Sequence, residues 1–154
     1  MTITVNGIEE VRGLVGQTIG PSEWREVTQE DIDKFADVTG DHQWIHVDVE
    51  RAKTESPFGT TIAHGNLTLC LCDSFRDQLF KAESGFKMGI NYGWNKVRYT
   101  SPVPVGSKLR ARVTLKDVVE VAGGLQNTFA VTIEREGGDK PVCIAEWVTR
   151  QYGG

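Results

Sequence analysis

Two different periods divide the chain. From Phe86 onward apolar and polar residues alternate, most sharply in KLRARVTL. There Leu109, Ala111, Val113 and Leu115 fall on one side and Lys108, Arg110, Arg112 and Thr114 on the other, the period of a half-buried strand. AGG at 122–124 and GGD at 137–139 are turns between runs of strand length. The pattern predicts an antiparallel meander of about four strands, near 87–99, 107–120, 125–136 and 141–152, with sequential strands pairing as neighbours.

The first half follows the helical period and is richer in loops. In TQEDIDKFADVTG, Thr28 suits a helix N-cap and Glu30 and Asp31 suit the positive end of the dipole. Ile32, Phe35 and Ala36 then share one apolar face, and Gly40 supplies the stop. A short helix is predicted after Asp48, through VERAKTE, ending at Ser56-Pro57. NLTLCLCDSFRDQLF begins apolar nearly all round, the mark of a helix at the centre of a domain. A sheet with one apolar face needs a cover, and this helix is the available one. The expected fold class is therefore α+β: one long central helix wrapped by an antiparallel β-sheet.

Composition sets bounds on that picture. The 154 residues suit a single domain over 1–154, with 39% hydrophobic and 25% charged residues. A net charge of −4 argues against nucleic-acid or anionic-membrane partners, which favour basic surfaces. There is no apolar run of membrane-helix length, and MTITVNGIEEVRG lacks the basic-then-apolar order of a secretion signal, so a cytoplasmic protein is expected. Cys70, Cys72 and Cys143 form no CxxC pair and read as buried free thiols, with no metal site expected.

Candidate chemistry lies between the helices. GDHQWIH places Asp41 and His46 five residues apart on a loop, where a carboxylate and an imidazole can share one water as acid and base. On spacing alone the simpler reading is structural, with Asp41 capping a turn and His46 packed. In IAHGNLTL, Gly65 heads the apolar helix beside His64. Its N–H has no partner inside the helix and can meet a carbonyl oxygen gaining negative charge, whereas the structural alternative is a tight turn. Lys96, Arg98, Lys108, Arg110 and Arg112 read as a solvated strand face, or in part as phosphate ligands. Trp94 and Trp147 read as core or interface residues. GxSxG, GxxxxGK and HExxH motifs do not occur.

Loop and helix together resemble the MaoC-like dehydratase family, which includes the R-specific enoyl-CoA hydratases. FADVTGDHQWIHVDVERAKTE followed by FGTTIAHGNLTL carries the likeness through Thr39, Gly40, Asp41, Ile45, His46, Ala52 and His64-Gly65. KVRYTSPVPVGSKLRARV resembles the strand–Pro–Val–Gly–strand that follows the family's central helix, and the likeness covers most of residues 20–150. It implies a hot-dog fold and reversible syn hydration of trans-2-enoyl-CoA to a (3R)-hydroxyacyl-CoA, with no separate cofactor.

By the same resemblance, Asp41 and His46 hold the water, and the Gly65 N–H binds the thioester oxygen. Gln43, Trp44 and His64 are the expected substrate contacts beside them, and Arg98 and Lys108 are the expected phosphate ligands. A homodimer is implied, because family sites are built at the subunit interface. Gln43-Trp44 replaces the usual Asn-Pro, so the loop loses a fixed φ and must be held otherwise, by burying Trp44. A supporting serine of the family would be Ser74, but the aligned position is Asp73. Two rivals remain at this point, a hot-dog acyl-CoA thioesterase and a non-catalytic acyl-thioester-binding module.

Overall fold

The computed structural model describes residues 2–153. Its framework is one antiparallel sheet formed by the second half of the chain. Strands β5 (Met88–Arg98), β6 (Lys108–Val121), β7 (Gly124–Arg135) and β8 (Pro141–Tyr152) match the expected runs. Alternation decides which face is buried: Leu109, Ala111, Val113 and Leu115 are at most 2% exposed. Each of the leucine and valine side chains contributes roughly 1.5–3 kcal/mol by leaving water. Leu125, Phe129, Val131 and Ile133 of β7 continue the same buried face.

The strand order is β6-β7-β8-β5, so β6 to β8 form a meander while β5 joins at the far side of β8. The expected pairing of β5 with its successor does not occur. The reason is the connection: residues 99–107 are no tight turn but a long link carrying Pro102 and Pro104. It runs past the helices, where Ala63 N–H bonds to Val103 O and Val105 N–H to Thr61 O.

The described residues form six short helices. α1 (Gly7–Gly13) lies near the amino end, and α2 (Gln29–Thr39) begins with a capping box in which Thr28 and Asp31 exchange hydrogen bonds. α2 ends on Gly40 at φ +79°, a conformation glycine reaches without a Cβ clash. α3 (Trp44–Val47) is a single turn, so His46 sits on a helix rather than on the expected loop. α4 (Val49–Glu55) follows, with the Asp48 side chain capping Arg51 N–H.

The expected long helix is divided into α5 (Gly65–Cys70) and α6 (Cys72–Leu79). At Leu71 between them, one N–H is shared between the carbonyls of Leu67 and Thr68, a local tightening of the turn. Burial follows one stripe, through Leu67, Thr68, Leu71, Cys72, Phe75 and Leu79. Cys70 falls off that stripe and is exposed, contrary to expectation, whereas Cys72 and Cys143 are buried.

Three features have no counterpart in the periodicity. β1 (Ile3–Asn6) pairs in parallel with β4 (Phe80–Ser84) as a separate ribbon. The two-residue strands β2 (Thr18–Ile19) and β3 (Arg25–Glu26) both add to β6. Among the described residues no helix is long and apolar enough to cross a membrane.

Candidate active site

The turn of α3 is held from three sides. Gln29 of α2 donates to His46 O at 2.8 Å and accepts from the Thr61 hydroxyl, tying α2, α3 and the segment before α5 together. Ile62 N–H reaches back to Ile45 O at 3.0 Å. The His46 ring closes the arrangement, with Nδ1 2.7 Å from Ile62 O. A carbonyl only accepts, so Nδ1 is the donor there and Nε2 is the ring nitrogen left for the cavity. His46 is 7% exposed and lines a cavity of about 340 Å³.

Asp41 stands just beyond the αL cap of α2 and is exposed. Its Oδ1 accepts from Gln43 N–H at 3.3 Å, so it does cap a turn, as its structural reading had it. One oxygen of its carboxylate also lies within 4.8 Å of a ring nitrogen of His46 and one of His64. The capping and chemical readings therefore coexist. A water between carboxylate and imidazole would be within reach of both.

His64 is buried behind His46 and is absent from the cavity wall. Gly65 heads α5 on the cavity wall, with its N–H unclaimed by the helix. A Cβ at Gly65 would fall 2.5 Å from Cδ2 of Tyr99, so the Tyr99 ring occupies the space a side chain would need. Tyr99 donates its hydroxyl to Asn66 Oδ1, also on α5. Burial pushes the Tyr99 phenol above its ordinary pKa, keeping it a donor.

The other expected contacts lie off the cavity. Gln43 is exposed, and Trp44 is half-buried with the Arg51 guanidinium 4.2 Å from its ring centroid. That stack, rather than full burial of Trp44, steadies the turn that lacks proline. Among the described residues Arg98 donates only to Val97 O, and Lys108 faces Glu136 at 3.9 Å. Arg110 and Arg112 both bond Glu134, and Arg110 covers Trp24 at 4.1 Å. Trp94 stacks on buried Trp147 with centroids 5.1 Å apart.

The described residues contain one group of metal-ligand type, Asp41, His46 and His64. The two imidazoles lie 3.9 Å apart at 22°. Nearly parallel rings point their in-plane lone pairs side by side, whereas a tetrahedral ion needs them to converge. The arrangement suits water held by one imidazole and the carboxylate better than a bound ion.

Comparison with known proteins adds the lineage. The MaoC like domain profile matches residues 10–136. This chain belongs to the MaoC-like domain family. A 3-hydroxyacyl-thioester dehydratase Z of Mycobacterium tuberculosis is 47% identical, over 96% of this chain and 97% of the relative. Nodulation protein N of Rhizobium leguminosarum is 45% identical over 92% and 89%. An unliganded R-hydratase from Pseudomonas aeruginosa superposes with a TM-score of 0.73 at 24% identity, over 91% of this chain and 83% of that one, a likeness of fold.

Within this MaoC-like chain several site residues carried no motif. Gln29 and Thr61 lie in ordinary helix and loop contexts. Thr68 is 1% exposed on the cavity wall, with a hydroxyl that finds no partner among the described residues. Its signal was available, as a polar residue on the buried stripe of α5. Asp73 and Ser74 are both exposed on α6.

Proposed function

We propose that this MaoC-like hydro-lyase adds water reversibly to a trans-2-enoyl-CoA, giving a (3R)-hydroxyacyl-CoA. The observation that carries the reading is the 2.7 Å contact between His46 Nδ1 and the Ile62 carbonyl. Ile62 O fixes the proton on Nδ1 and leaves Nε2 free on a cavity wall shared with the Gly65 helix start, with the Asp41 carboxylate nearby. In hydration, the water held by the pair loses one proton to it and its oxygen bonds to C3. The C2–C3 π electrons move towards the thioester, whose oxygen gains enolate character at the Gly65 N–H. The pair then returns a proton to C2, so the elements of water are added and nothing else is consumed.

A homodimer belongs to the same proposal. Among the described residues β5 pairs only with β8, which leaves its other edge unpaired there, and Met88, Ile90 and Tyr92 along it are 55%, 39% and 56% exposed. A long edge with apolar side chains is a template for another strand, and a second copy supplies one. Arg98, at the end of that edge and committed only to Val97 O, is then available to the phosphates of CoA. Size-exclusion should report twice the 17.0 kDa chain mass. A hot-dog thioesterase is the weaker alternative, because α5, GNLTLC, carries no carboxylate to direct water at the thioester carbon.

The test follows the absorbance of the conjugated enoyl thioester with purified protein. Asp41→Asn and His46→Ala should each lower the rate by about 10²–10⁴-fold, the range for loss of a positioned acid or base. The dimer should persist in both. No free thiol should appear, scored in a Cys70→Ser background because Cys70 is exposed. Full activity in both variants would falsify the assignment, and thiol release would transfer it to the thioesterase.

A further inference from the structure

His64 lines no part of the cavity, yet it touches the groups that do the chemistry. Its ring is 3% exposed. Nε2 lies 2.9 Å from the backbone carbonyl of Asp41, and the ring stacks on His46 with centroids 3.9 Å apart. Phe35 of α2 packs against the same ring at 5.0 Å, and the next residue in the chain is Gly65. Because the Asp41 carbonyl accepts, Nε2 carries the proton and Nδ1 is a bare acceptor. Nδ1 is buried and has no partner among the described residues. An unpartnered nitrogen on one side and the Asp41 carbonyl on the other leave the ring one polar anchor, the bond from Nε2.

We propose that His64 is a positioning residue for the hydration, acting on Asp41 through its Nε2–H and on His46 through its ring face. This rests on the hydratase reading above. The bond from His46 Nδ1–H to Ile62 O fixes one point of that ring and leaves it free to tilt about the bond. The stacked face of His64 removes the tilt, so Nε2 of His46 stays aimed at one place. The same ring holds the Asp41 backbone, so a single side chain sets the separation of carboxylate and imidazole.

Two variants separate the two contacts. His64→Gln places an amide nitrogen about where Nε2 lies, keeping the donor to Asp41 and losing the ring. His64→Phe keeps a flat ring against His46 and loses the donor. Each should lower kcat about ten- to a hundredfold, the scale for misplaced reacting groups, with KM for the enoyl-CoA little changed. The imidazole titration of His46, read by 15N NMR in the free protein, should shift in His64→Gln and stay closer to the parent in His64→Phe. The titratable groups facing His46 are Asp41 from the loop after α2, His64 from before α5 and Tyr99 across the cavity. They are unchanged in these variants apart from the one replaced.

A residue that merely fills space would lower the thermal midpoint and leave kcat per folded molecule and the His46 titration alone. That result in both variants overturns the proposal. A parental kcat in one variant removes the contact which that variant lacks. If the parent protein fails to hydrate enoyl-CoA, the hydratase reading fails, while the NMR titration still decides whether His64 governs His46.

Discussion

The β6–β8 meander and the segment from Gly40 to Gly65 are built on opposite principles. In the meander one rule repeats: alternate residues of β6 and β7 are buried, and each strand pairs its neighbour over 11 or more positions with a single register shift. In the site segment almost every contact is made once. Gln29 bridges α3 to Thr61, Ile62 O fixes one histidine and Asp41 O fixes the other. Redundant packing yields stability that is spread out. Single-use contacts yield geometry that one substitution can undo.

The largest separation of the two regions should come from emptying the sheet's core. Phe129 is 1% exposed on β7, with its ring 5.8 Å from that of Phe80. Phe129→Ala should cost about 3–5 kcal/mol of folding stability, measured by urea unfolding, while activity per folded molecule is kept well below the new midpoint. Loss of kcat in the folded fraction would show that the sheet transmits strain to the site and would blur the distinction.

That division also explains what could be read in advance. Period two with one buried face is a pattern visible in KLRARVTL itself, so four strands and their inward residues were legible. The partner of β5 was not, because it depends on the path of residues 99–107, which no local pattern encodes. The parallel pairing of Ile3–Asn6 with Phe80–Ser84 is hidden for the same reason. In the site, Asp41, His46 and Gly65 were visible as candidates, but only the family resemblance lifted them above the structural reading that their spacing favoured. Gln43, Trp44, Arg98 and Lys108 were sequence neighbours of site elements, and neighbourhood in sequence did not bring them to the cavity. Thr68 and Tyr99 reach it through packing between distant segments.

Gly65 offers a middle-sized effect on the boundary between the regions. Its Cα faces the Tyr99 ring with no space for a methyl group, so Gly65→Ala must displace an aromatic ring that also bonds Asn66. Overpacking of this kind costs about 1–3 kcal/mol, and the hydration rate should fall because the ring borders the cavity. Adding Tyr99→Ala to Gly65→Ala removes the obstruction. Recovery of the thermal midpoint without recovery of rate would show that the thioester, as well as Tyr99, needs the bare Cα. Recovery of both would leave packing as the whole reason for glycine.

The smallest effect belongs to the outer face of the sheet, where Arg110 and Arg112 meet Glu134. Burial raises the Glu134 carboxyl, but hydrogen bonds from Arg110 and Arg112 outweigh it and hold the group below its ordinary value of 4.5. A carboxylate whose pKa is depressed in the folded state stabilises the fold above its unfolded value. That contribution disappears as pH falls from about 4.5 through the lower folded value. Glu134 is 29% exposed, so solvent screening keeps its worth at pH 7 to about 1 kcal/mol or less. Glu134→Gln should therefore lower stability slightly at pH 7 and flatten its decline below pH 4.5, as urea titrations at several pH values would record. Its hydration rate at pH 7 should equal the parent's. Glu134 bonds only strand residues, and a change in rate would mean that the sheet's outer charges reach the Asp41–His46 pair after all.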